Sequence, residues 1–364
     1  MAMPGRCILV CGGAGFIGTN FVRLAVERGA AKVVILDKLT YAGNAGNVPQ
    51  HPRVIFVRGD IGDRELVQTL LAEHQPVWVV NFAAETHVDR SIDWPEPFVR
   101  TNIDGTFGLL ESVRRYWSSL PGGTKERFRF LQVSTDEVYG SIPDGERASE
   151  ERAYRPNSPY AASKAAGDHL ARAYYVTYGV PVLITNSSNN FGPFQYPEKL
   201  IPLMILNALD GRDLPIYGDG GNVRDWMYVA DHCEALLRVL EHGAAGAQYN
   251  VGAGNERTNL EVVDSLCAAL EELFPARTNP HLQARGFAAY EQLKVFVEDR
   301  PGHDRRYALD SSRLRRELGW QPQYDFLAGL RETVRWYFAH RDWCAAVLAG
   351  RYDRQRLGLS ASRS

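Results

Sequence analysis

Two pairs of side chains in this sequence are spaced for chemistry. In Tyr160-Ala-Ala-Ser-Lys164 a phenol and an ammonium stand at i and i+4, on one face of a helix. The ammonium favours phenolate, so Tyr160 is expected to have a lowered pKa and to take a proton from an alcohol. Asp136 and Glu137 are the second pair. Two adjoining carboxyls are more than an alcohol oxidation needs, and they suit a β-elimination. A carboxylate, assigned to Glu137, removes a proton acidified by a neighbouring ketone; a neutral carboxyl, assigned to Asp136, protonates the departing hydroxyl. Burial and the neighbour's charge both raise a carboxyl pKa, so the pair can hold one proton between them near neutral pH.

A hydride acceptor is implied nearer the start of the chain. An apolar run at 7–10 leads into Gly12-Gly13-Ala14-Gly15-Phe16-Ile17-Gly18, which opens a helical pattern over 16–27. Glycines there allow a tight turn and close approach of a pyrophosphate to the backbone, and the N–H groups at the helix start bind it. The next apolar run ends in Asp37, placed to accept hydrogen bonds from an adenosine ribose and to repel a 2'-phosphate. NAD is therefore favoured over NADP, with Lys38 beside it weakening the preference. Asp60 and Ile61 are candidates for an adenine clamp, and the small Ala83 and Ala84 would let a cofactor lie against the backbone.

These residues fall at the ends of apolar runs at 7–10, 33–36, 54–57, 77–82 and 128–133, which alternate with helical patterns. That is the pattern of a Rossmann doubly wound parallel sheet, whose ligands sit at the carboxyl ends of the strands. Domain boundaries are read as 1–186 for this unit, with later segments returning to it. A smaller α/β substrate-binding domain covers 187–345, and a polar tail 346–364, most evident from 351. In the second part helices are expected at 231–241, 259–273 and 327–339 and a strand at 249–251, with Asp231 and Asn259 as N-caps.

Lys and Arg number 41 against 43 Asp and Glu, a net charge of -2 without charged blocks, which argues against nucleic-acid and membrane partners. No apolar run approaches the ~18 residues of a spanning helix and no secretory leader is evident. The five cysteines are scattered, so a cytoplasmic protein with reduced thiols is expected, and no ligand spacing points to a metal.

The glycine loop with Tyr160-x-x-x-Lys164 resembles the extended short-chain dehydrogenase/reductase family, whose members act on nucleotide-sugars. Within it, Ser134-Thr135-Asp136-Glu137-Val138-Tyr139-Gly140 is similar to the dTDP-glucose 4,6-dehydratase branch, and the likeness extends over about 6–340. The resemblance implies a hydroxyl contact from Thr135 to the reacting alcohol. It also implies cofactor contacts from Leu39, Thr40, Phe82, Thr101 and Asn190. Substrate contacts would come from Thr86, Asn189, Lys199, Leu200, Pro215 and Tyr217, and from Arg224, Asn259, Arg300 and His303. Lys199, Arg224 and Arg300 are also the cations a diphosphate needs. A homodimer joined through 97–116 and 160–178 is implied too. Use of UDP- or CDP-glucose is the near alternative, then a nucleotide-sugar epimerase or decarboxylase, which has no need of both Asp136 and Glu137. A non-catalytic NAD-binding module is the reading from another class.

Overall fold

The computed structural model describes residues 5–299, 302–349 and 354. Its strands are β1 (Cys7–Cys11), β2 (Lys32–Asp37), β3 (Val54–Arg58), β4 (Trp78–Asn81), β5 (Arg129–Thr135), β6 (Val182–Ser187), β7 (Asn189–Phe191), β8 (Leu214–Tyr217), β9 (Val223–Tyr228), β10 (Gln248–Val251), β11 (Glu256–Thr258) and β12 (Lys294–Val297). Seven of them form one sheet in the order β10-β6-β5-β4-β1-β2-β3, parallel throughout.

The two-residue period of the strands separates two cores. Ile8, Val10, Val33 and Ile35 face one cluster, closed by the helices Phe16–Glu27 and Val229–His242. Leu9, Cys11, Val34 and Leu36 face the other, beneath Arg64–His74, Thr106–Ser119 and Pro159–Tyr178. Burial on both faces explains why these strands are continuous apolar runs, and each such side chain contributes about 2 kcal/mol. The chain reverses its winding between β1 and β4, so the carboxyl ends of these two strands flank the crevice.

The second lobe holds β11-β9-β7 and the pair β12-β8. The helices Leu200–Leu209, Asn259–Leu273 and Phe326–Ala339 cover it, around a core with Ile205, Trp226, Leu266 and Leu330. After 187 the chain returns to the first lobe with Val229–His242 and β10.

Several local expectations are corrected. Asp231 does not cap its helix, which starts at Val229; its carboxylate instead accepts from the Gln323 and Tyr324 N–H groups at 2.9 and 3.0 Å. Asn259 is the first helical residue, and Thr258 is the cap, in a capping box with Glu261. The stretch 97–116 is not one α-helix, because Val99–Gly105 is wound as a π-helix ahead of Thr106–Ser119. The helix Arg341–Leu348, with Val347 buried, runs into the segment read as tail. The polar stretch 351–364 lies outside the described residues except Arg354, which pairs with Asp210 at 2.8 Å.

Candidate active site

One open cleft lies at the carboxyl ends of β1, β2, β4 and β5. Gly12, Gly15, Phe16, Ile17 and Gly18 line it, with the helix Phe16–Glu27 starting there without a side-chain cap. A Cβ on Gly12 would lie 2.6 Å from the Ala83 nitrogen, and one on Gly18 2.2 Å from the Gly12 oxygen. These glycines let the loop close on β4 and leave its N–H groups for a phosphate.

Asp37, Lys38, Thr40, Asp60, Ile61, Phe82, Ala83, Ala84 and Thr101 line the same cleft; Leu39 does not. Asp37 accepts from Ala14 N at 3.0 Å and Leu39 N at 2.8 Å, so it holds the glycine loop itself and keeps lone pairs for other donors. Burial pushes its carboxyl up, and the two N–H groups and Lys38 draw it back. Lys38 reaches Thr101 Oγ1 at 2.7 Å and Asp60 Oδ2 at 3.3 Å, crossing from β2 to the π-helix. In the cleft wall, Asn189 Oδ1, Asn190 Oδ1 and Gln195 Oε1 are buried without a hydrogen-bond partner among the described residues. Buried unpaired polar atoms around a glycine cradle fit a polar dinucleotide.

Ser158 caps the helix Pro159–Tyr178 through Ala161 N at 3.1 Å, and this element delivers Tyr160 and Lys164 to the cleft. β5 ends at Thr135, and Asp136 and Glu137 open the 3-10 turn that follows. The Thr135 hydroxyl hydrogen-bonds the Tyr160 phenol, lies 3.3 Å from Asp136 Oδ1 and accepts from Glu137 N at 3.3 Å. All five expected catalytic residues line the cleft together.

The electrostatics agree with one expectation and correct another. Burial first, then the Glu137 charge, pushes the Asp136 carboxyl well above the usual range, the direction a proton donor needs. Tyr160 is not lowered: burial and Glu137 push its phenol up. Lys164 is itself fully buried, with its ammonium donating to Val133 O at 2.7 Å, and burial lowers its pKa against the pull of Asp168. The reason is desolvation, which outweighs a single ammonium already spent on a carbonyl.

Of the substrate candidates, Thr86, Thr135, Asn189 and Lys199 line the cleft, and Lys199 Nζ donates to Thr86 O at 3.1 Å. Leu200, Pro215, Tyr217, Arg224, Asn259 and His303 stand on the second lobe outside the lining. Arg224, expected on a diphosphate, donates to the carbonyls of Val223 at 2.8 Å and Asp304 at 2.9 Å and covers the Tyr307 ring. His303 meets Asp299 Oδ1 at 2.7 Å, and Arg300 lies outside the described residues.

Three neighbours were not foreseen. Asn102 bonds Ser163 Oγ at 2.8 Å and both backbone groups of Glu85, tying the segment after β4 to the tyrosine helix. Glu198, buried in the wall, meets Arg90 at 3.2 Å. Tyr307 approaches Glu137 from 170 residues further on, and no local signal could have found it.

A profile of the GDP-mannose 4,6 dehydratase family matches residues 9–333. The dTDP-glucose 4,6-dehydratase of Xanthomonas campestris pv. campestris strain B100 is 54% identical over 97% of this chain and 99% of that protein. A Streptomyces venezuelae dTDP-glucose 4,6-dehydratase solved with NAD bound is 45% identical, covering 94% of this chain and 99% of the other, at a TM-score of 0.82. A Thermus thermophilus UDP-glucose 4-epimerase, also with NAD, is 33% identical over 92% of this chain and 99% of its own, at a TM-score of 0.78.

Proposed function

Because the chain belongs to the dTDP-glucose 4,6-dehydratase family, we infer that it turns dTDP-glucose into dTDP-4-keto-6-deoxyglucose as an NAD-dependent hydro-lyase. The carrying observation is the adjoining carboxyls Asp136, buried, and Glu137 at the end of β5, in one cleft with Thr135, Tyr160 and Lys164. An epimerase oxidises and reduces one carbon and has no use for that second pair.

NAD, when bound, supplies the two-electron acceptor and a positive nicotinamide that offsets what burial does to Tyr160. Gly12, Gly15 and Gly18 would hold its pyrophosphate and Asp37 its ribose, with Asn190 in the wall. Tyr160 takes the proton of the 4-hydroxyl, and Thr135 orients that hydroxyl. Glu137 removes the C5 proton, made acidic by the new ketone, and later returns it. Asp136 protonates the 6-hydroxyl as it leaves. Lys199 is the cleft cation that suits the substrate diphosphate, while Arg224, Arg300 and His303 are held for the second lobe's share of it. The 187–345 segment is the nucleotide-sugar side of the molecule in this reading.

A homodimer is part of the same proposal, supported by exposed Val99, Phe107, Val176 and Tyr178 on the two implicated stretches. Among the described residues no helix is long and apolar enough to cross a membrane. Five unpaired cysteines support a cytoplasmic placement.

Purified protein incubated with NAD and dTDP-glucose, with UDP-glucose in parallel, tests the reading through the alkaline absorbance of a 4-keto-6-deoxy sugar. Product from dTDP-glucose alone is expected. Product from UDP-glucose at an equal rate would overturn the base preference, and none from either the dehydratase assignment.

A further inference from the structure

The proposed reaction leaves the site with its protons in the wrong places. The O4–H bond breaks and its proton goes to Tyr160; the C4–H bond breaks and its hydrogen leaves with both electrons. The C5 proton goes to Glu137 and comes back to C5, so Glu137 ends as it began. The C6–O bond breaks, the oxygen leaves as water carrying the Asp136 proton, and C6 receives the hydrogen and electron pair taken from C4. After one turnover Tyr160 has gained a proton and Asp136 has lost one. Neither can start again until a proton passes from the first to the second, and both are more than nine-tenths buried.

The geometry points to the Thr135 hydroxyl as the carrier of that proton, a reset relay that rests on the dehydratase reading and adds to it a step after the chemistry. A hydroxyl has one donor and two acceptor positions. Thr135 Oγ1 lies 3.3 Å from Asp136 Oδ1, to which it donates, and accepts from the Glu137 N–H at 3.3 Å. The same hydroxyl is in hydrogen-bond contact with the Tyr160 oxygen, favouring its phenolate, and both residues line the cleft beside Asp136. After turnover Tyr160 carries the proton and Asp136 lacks one, so the Tyr160 phenol donates to Thr135 while Thr135 donates to Asp136, its other acceptor position being taken by the Glu137 N–H. In the reset the Tyr160 O–H bond breaks as a new Thr135 O–H forms, and the old Thr135 O–H breaks as an Asp136 O–H forms. Thr135 ends unchanged, Tyr160 as phenolate and Asp136 as acid, with no outside reactant. The rival exit for the Tyr160 proton runs behind the helix through Lys164, Asp168 and Tyr154, which meets Asp168 at 3.0 Å. That route does not lead to Asp136.

First-turnover and steady-state rates of full-length wild type, Thr135→Val and Thr135→Ser, loaded with NAD and mixed with dTDP-glucose, test the relay. The valine variant is expected to slow the first turnover, since the 4-hydroxyl loses its orienting partner, and to slow later turnovers at least about tenfold more than the first, so that a burst of about one product per site remains, as loss of a positioned proton carrier predicts. Added formate or imidazole buffer should speed that slow phase, and serine should abolish the burst. Equal slowing of first and later turnovers in the valine variant, without buffer dependence, would assign Thr135 to substrate orientation alone and overturn the relay. First-turnover inactivity of the valine variant would do the same. Wild type supplies an independent reading that no folding defect can obscure. Its steady rate should not change with buffer concentration at fixed pH and ionic strength, and a rate rising with buffer overturns the relay. No first-turnover product from wild type would instead sink the dehydratase reading.

Discussion

Tyr307 gives its hydroxyl hydrogen to Asp304 Oδ2 at 2.6 Å and keeps its oxygen 3.5 Å from Glu137 Oε2. An ionised Glu137 thus faces an oxygen whose hydrogen is committed elsewhere, and Arg224, 4.3 Å from the ring centroid, covers the same tyrosine. Tyr307→Phe removes that oxygen from beside the base. Exchange of the C5 hydrogen with deuterated solvent should change by about tenfold or less, a modest share of a general-base effect, while NAD affinity stays as it was. Equal changes in both would mean that the tyrosine shapes the whole cleft.

The assigned split between base and acid predicts different blocked states. Glu137→Gln should still reduce NAD when given dTDP-glucose but lose overall turnover by about 10²- to 10⁴-fold, so reduced-nicotinamide absorbance accumulates. Asp136→Asn should lose turnover comparably yet still exchange the C5 hydrogen. The reverse pattern would exchange the two roles.

Asp168 is fully buried beside Lys164, Ser134, Tyr154 and Asn186, and burial raises its carboxyl to about 6. A carboxyl raised on folding binds its proton more tightly in the native state, so its contribution falls as pH rises from about 4 through about 6. Above pH 6 its charge sustains the Lys164 ammonium. The expected result is an acid limb near pH 6 in kcat/KM that Asp168→Asn removes, together with a flatter melting temperature between pH 4 and 7. A limb unchanged in the variant would locate it in another group.

Gly18→Ala sets a methyl 2.2 Å from the Gly12 oxygen. Loop and helix must separate, and NAD affinity, read by fluorescence titration, should fall by at least about tenfold, the loss of a phosphate cradle. Retained affinity would mean that the loop has another way to close.

Val176 is 62% exposed on the tyrosine helix. Val176→Asp is expected to shift the sedimentation mass from two chains toward one at micromolar concentration, without lowering NAD binding. A wild-type mass of one chain would remove the dimer from the proposal.

Much of this arrangement was legible in the sequence because it is local. Gly12 to Gly18 reads as a loop from its own composition, and Tyr160 and Lys164 share a face by helical spacing alone. The β-strands were readable because burial on both faces makes them unbroken apolar runs. The Tyr160 pKa was misread, since spacing shows an ammonium but not the desolvation that outweighs it. The cap at Asp231 was misread for a related reason: its partners, Gln323 and Tyr324, lie far along the chain. The contacts of Arg224 with the Asp304 and Arg305 carbonyls were out of reach for the same reason, since those partners lie some 80 residues along the chain.

The outermost strand of the large sheet, β10, is made only after the chain has travelled through part of the second lobe. On the ribosome, β6 therefore emerges as an open edge, with its ladder of N–H and C=O groups unpaired until Gln248–Val251 arrives. A stalled or truncated chain ending between the two would carry a nearly finished parallel sheet whose β6 rim, covered in the complete fold, is adhesive. Synthesis speed across that interval bears on the yield of soluble protein, and an early stop there should favour inclusion bodies over a shorter folded domain.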